Sequence, residues 1–109
     1  MSERKDDWRV VVSRIDPVAA ERLEALEAHV AARDSRIPRK HKELIMMACS
    51  AALRHDSATR AHAGEAMYYG ATDEEIVEAL SLASLSAGSA VSAGGVEAVA
   101  DLLTRTGER

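Results

Sequence analysis

The sequence predicts an all-α fold of about five helices, and three observations carry that prediction. Apolar residues recur at helical spacing through most of the chain. Helix-start and helix-stop signals punctuate it at regular intervals. Material for strands is scarce: the only aromatics are Trp8, Tyr68 and Tyr69, Phe is absent, and 21 of the 109 residues are Ala.

The first nine residues are polar apart from Met1 and Trp8. Val10-Val11-Val12 is a β-prone run too short to make a sheet, so residues 1–13 are expected as a partly loose N-terminal arm and residues 14–106 as the helical domain. Asp16-Pro17 opens the first helix, with Asp suited to the N-cap and Pro to the first helical position. Leu23, Leu26 and Val30 then form one stripe, and the helix is expected to reach about Ala32. Asp34 to Pro38 is a connection, and Pro38 opens the second helix. From Leu44 to Leu53 that helix is apolar almost all round, which predicts burial in the core or at a subunit contact. Asp56 or Ser57 is expected to cap the third helix, which runs to Tyr69 and stops at Gly70. Thr72 and Glu75 have the spacing of a capping box and start the fourth helix, whose stripe is Ile76, Leu80 and Ala83. It ends near Gly88, and a last helix from about Ser92 to Arg105 turns Val96, Val99 and Leu103 inward.

Composition narrows the function. No apolar run is long enough to span a membrane, and Met1 to Asp7 has no apolar stretch, so the expected location is the cytoplasm. The net charge of −4 argues against nucleic acid as a partner. Cys49 is the single cysteine, which excludes an intrachain disulfide, and no metal-binding motif is present. An alanine-rich core of this size buries little area, so association with further copies would supply the missing burial.

Several side chains could carry chemistry. His62 sits among alanines, sharing a helical face with Ala58, Glu65 and Tyr69. It reads either as a general acid/base, since imidazole changes charge near neutral pH, or as a structural histidine between helices. Glu43 stands at the edge of the apolar second helix and reads either as a base or as a first-turn acid favoured by the helix dipole. Arg39, Lys40 and Lys42 could attract an anion; cations there oppose the helix dipole and need another reason. His55 ends the second helix and could join a site. Cys49 is expected as a small core residue rather than a nucleophile.

Taken together, Pro38-Arg39-Lys40, Lys42-Glu43-Leu44, the alanine-rich helix with His62, and Gly70-Ala71-Thr72-x-Glu74-Glu75-Ile76 resemble the carboxymuconolactone decarboxylase family. That family shares its core with alkylhydroperoxidase D, and the resemblance covers roughly residues 14–104. It implies an alkylhydroperoxidase D-like helical array assembled as a homotrimer or homohexamer. In the peroxidase branch a Glu precedes Cys-x-x-Cys, and a His follows four residues later. Glu43 and His62 match the Glu and the His, but the two cysteine positions hold His55 and Ala58. The dithiol cycle of that branch therefore has no thiols here. The decarboxylase branch implies a lyase that needs no cofactor and acts on a small carboxylated lactone. By that resemblance His62 and Glu43 are the catalytic pair, and His55, Arg39 and Tyr69 bind a small anionic substrate. The other readings are an antioxidant protein and a non-catalytic module that binds a small anion.

Overall fold

The structure, a computed structural model, describes residues 7–107, with side chains described as far as Leu103. Every element among the described residues is a helix: α1 (Trp8–Ile15), α2 (Pro17–Val30), α3 (Arg39–Ala52), α4 (Asp56–Tyr68), α5 (Asp73–Ala87) and α6 (Ala90–Gly107). The all-α prediction holds, with six helices in place of about five. The chain divides into two compact units, Met1–Arg33 and Asp34–Arg109.

The first unit contains the added helix. Val10 to Val12, expected in an arm, lie within α1, and residues 1–6 of that arm fall outside the described residues. Asp7 starts α1 by accepting from the Arg9 backbone N–H at 3.0 Å. Asp16 then closes α1 and caps α2, accepting from the Ala19 N–H at 3.1 Å with Pro17 in the first turn. The Arg9 guanidinium bonds Glu27 at 2.9 Å and holds the two helices together. The stripe of Leu23, Leu26 and Val30 lies where the 3.6-residue period puts it, but all three side chains are exposed.

The second unit holds the core. Here α3 packs against α4, α5 and α6, and α6 closes on α4 and α5. Met47, Ile76, Leu80 and Val99 are fully buried, with Ala51, Ala63 and Ala66 filling the spaces between helices. Small residues let the backbones approach: a Cβ on Gly95 would lie 2.9 Å from Leu80 Cδ2 and 3.4 Å from Ala51 Cβ.

The α5 start is as expected. Thr72 Oγ1 accepts from the Glu75 N–H at 3.1 Å, and Glu75 Oε1 accepts from the Thr72 N–H at 3.0 Å. Gly88 ends α5 at φ 114°, where a side chain would be strained. Two expectations are corrected, and a third is met on one face. Within one chain helix α3 buries a single row, Glu43, Met47 and Ala51, while Ile45 and Cys49 face solvent. A helix pressed on one side by α4, α5 and α6 needs only one apolar row. Neither Asp56 nor Ser57 caps α4. His55 occupies that position without a side-chain bond, and Asp56 sits inside the first turn, where its charge suits the dipole. The α6 row is Val91, Val99 and Leu102, with Val96 and Leu103 only partly buried.

Candidate functional site

The site forms where α3 and α4 pack. The buried row of α3 begins with a charged residue, Glu43, only 5% exposed. A carboxylate removed from water needs partners, and two approach it. His62, next to the buried Ala63 on α4, places Nδ1 2.8 Å from Glu43 Oε1. An ionised carboxylate only accepts, so Nδ1 is the donor of this pair and Nε2 is the ring nitrogen left for another partner. About a third of the His62 side chain reaches solvent. On the other side, Arg39 Nη2 lies 3.9 Å from Glu43 Oε2, one helical turn earlier on α3. That separation allows Coulomb attraction but is too long for a hydrogen bond.

Arg39 is held from another direction. Its guanidinium lies 4.2 Å from the Tyr69 ring centroid, within cation–π range. Tyr68 meets Tyr69 edge to face at 4.9 Å. The Nε of Arg39 is buried with no hydrogen-bond partner. The guanidinium beside the Glu43 carboxylate thus keeps one buried donor without a partner.

The structure therefore brings together four of the five expected site residues: Glu43, His62, Arg39 and Tyr69. The fifth, His55, is exposed at the start of α4, about 10 Å from His62 along the helix at 1.5 Å per residue. No described contact joins it to the other four. Glu65 is exposed one turn after His62. Cys49, expected in the core, faces solvent on α3.

The cations at the start of α3 also find their reason. Arg39 has Glu43, and Lys40 Nζ bonds Glu75 Oε2 at 3.1 Å on α5. Local attraction to carboxylates outweighs the opposing helix dipole. Sequence reasoning missed the Lys40–Glu75 link, although the capping box already placed Glu75 in the first turn of α5. It also missed the stacking of Arg39 on Tyr69, for which no local sequence signal exists.

Two hollows lie elsewhere. One, of about 160 Å³, is lined by Trp8, Val12, Ala20 and Leu23 in the first unit. The other, of about 450 Å³, runs between α3 and α5 and is lined by neither Glu43 nor His62. A reactant would reach His62 from its exposed edge. Among the described residues no helix is long and apolar enough to cross a membrane, and no group of three His, Cys, Asp or Glu could hold a metal ion.

The model of the carboxymuconolactone decarboxylase family matches residues 17–101, most of the chain. The chain belongs to that family. It is similar to a carboxymuconolactone decarboxylase family protein from Thermotoga maritima for which involvement in an antioxidative response has been suggested. The two share 31% identity over 99% of this chain and 95% of that one, with a TM-score of 0.74. No curated protein matches. Within this carboxymuconolactone decarboxylase family chain, Glu43 and His62 sit at hydrogen-bond distance, and Cys49 is the single cysteine.

Proposed function

We propose that this protein is a lyase or proton-transfer enzyme acting on a small carboxylated, lactone-type substrate through His62 and Glu43. The observation that carries the reading is the 2.8 Å bond from His62 Nδ1 to a buried carboxylate, with part of the imidazole open to solvent.

In a decarboxylation, the bond between the substrate carbon and its carboxylate breaks and CO₂ leaves. The electron pair stays on that carbon, delocalised into the adjoining carbonyl as an enolate. His62 in its protonated form gives the Nε2 proton to the carbon, and Glu43 stabilises the ring while it is charged. Solvent returns the proton before the next turnover. Arg39, held over Tyr69, supplies the positive charge that attracts the substrate anion. No step in this sequence needs a cofactor.

The test is CO₂ release across a panel of carboxylated lactones and β-keto acids. His62→Gln is expected to lower kcat by about 10²–10⁴-fold. Turnover that is absent across the panel, or unchanged in His62→Gln, overturns the reading. The suggested antioxidative part of the Thermotoga relative favours a second reading, peroxide reduction. Here the Cys49 thiolate would break the peroxide O–O bond and become a sulfenic acid, which an external thiol would have to reduce, so thiol-dependent peroxide consumption abolished in Cys49→Ser would support it.

A further inference from the structure

The approach to His62 carries an acid that the proposed reaction does not use. Thr59, Ala63 and Ala66 form the buried side of α4. At about 100° per residue, His62 lies roughly 60° round the helix from that side, and Glu65 roughly 120° in the same sense. The exposed edge of the imidazole therefore lies toward the side of α4 that bears Glu65. Residues three apart on a helix hold their Cβ atoms about 5–6 Å from each other. Ala58, one turn before His62, borders the same edge with only a methyl group. Glu65 is exposed, and among the described residues no hydrogen bond or ion pair engages its side chain. Its charge is thus open toward the space that a reactant must enter.

We propose that Glu65 is a specificity residue that admits substrates with one carboxylate and rejects those with two. The inference rests on the site proposed for Glu43 and His62 and narrows its substrate class. Arg39 is the cation of that site, and Glu43 already answers its charge from 3.9 Å. Lys40 on α3 and Arg60 on α4 are engaged by Glu75 and Asp101. One carboxylate on a reactant is drawn toward Arg39. A second brings another negative charge up to Glu65 at the entrance, where like charges repel.

Binding is read on the His62 ring protons by NMR, with glutarate as the dianion and monomethyl glutarate as a monoanion of nearly the same shape. In the native chain the monoanion is expected to bind about threefold or more tightly than the dianion. Glu65→Gln should bring the two affinities together, chiefly by tightening glutarate, whereas Glu65→Asp should keep the preference. Added salt should shrink the preference in the native chain, which a merely structural role of Glu65 would not explain. Glu65 is exposed, so helix content by circular dichroism should match in all three chains. Glutarate that binds the native chain as tightly as the monoanion overturns the proposal. So does a preference untouched by Glu65→Gln, or a His62 ring that responds to neither anion. CO₂ release from mono- and dicarboxylated lactones separates the two readings. Absent turnover with the binding preference intact overturns the lyase alone, and turnover that favours the dicarboxylates overturns the role of Glu65 alone.

Discussion

Arg39 lies over the Tyr69 ring, 4.2 Å from its centroid, and this contact fixes where the cation sits relative to Glu43. Glu43 Oε1 is engaged by His62, and Oε2 keeps Arg39 at 3.9 Å. The ring thus holds a positive charge near the pair.

That arrangement separates the ring from its hydroxyl. Tyr69→Phe keeps the π face and is expected to leave KM for an anionic substrate near the native value. Tyr69→Leu removes a cation–π contact worth about 0.5–2 kcal/mol, so KM should rise about 2- to 30-fold with a smaller change in kcat. Steady-state kinetics on both variants check it. Equal effects from the two would assign the role to the hydroxyl.

Helix packing in the second unit predicts a steric limit at Gly95. A Cβ there already approaches Leu80 Cδ2 at 2.9 Å, and Leu80 is fully buried. Gly95→Val should destabilise the protein by about 1–3 kcal/mol through overpacking. Urea denaturation of the two chains measures it, and a neutral result would mean that α6 can move away from α5 without cost.

Arg54 follows the C-cap of α3 at φ 63°, a left-handed conformation usually filled by Gly. The His55 N–H bonds the Ser50 carbonyl at 2.9 Å and holds the turn in place. Relief of the Cβ clash in Arg54→Gly should stabilise the protein by about 1 kcal/mol, seen as a higher Tm. A lower Tm would show that the Arg54 side chain, whose Nε lies 3.7 Å from the Cβ position of Gly94, contributes more than the strain costs.

Two acids contribute to the response to low pH. The Thr72 backbone N–H and then Lys40 hold the Glu75 carboxyl below the usual range. The Arg60 side chain does the same for Asp101. An acid whose folded value is lowered stabilises the fold fully above its unfolded value, about pH 4, and loses that contribution as pH falls through the folded value. Stability is therefore expected to decline below about pH 4. Glu75→Gln and Asp101→Asn should each be less stable than the native chain at neutral pH and lose less on acidification. Urea midpoints measured over that range check the sign.

Local signals in the sequence fared better than distant ones. Thr72 and Glu75 stand three residues apart, so the capping box was legible as spacing. Asp16-Pro17 and Gly70 marked helix ends for the same reason. Helix α1 was missed because three valines outweighed a second pattern in the same residues: Asp7 as cap, then Trp8, Val11, Val12 and Ile15 at helical period. The exposure of Cys49 was hidden because an apolar run does not say which side a neighbouring helix covers. Glu43 and His62 could be named from the family motif, but their meeting depends on how α3 turns into α4 at Arg54 and His55, a property of backbone angles rather than of residue type. His55 illustrates the limit: it holds a cysteine position of the resembled motif, yet it lies exposed at the start of α4 with no described contact to the other four.

Arg39, Glu43, His62 and Tyr69 all belong to two consecutive helices and the residue that follows them. Contacts that are near in sequence close small loops and form early, whereas the packing of α6 on α4 must wait for the last part of the chain. A growing polypeptide released as far as Tyr69 already carries every one of these groups. Their arrangement can be rehearsed during synthesis, and the remaining helices then lock it in place.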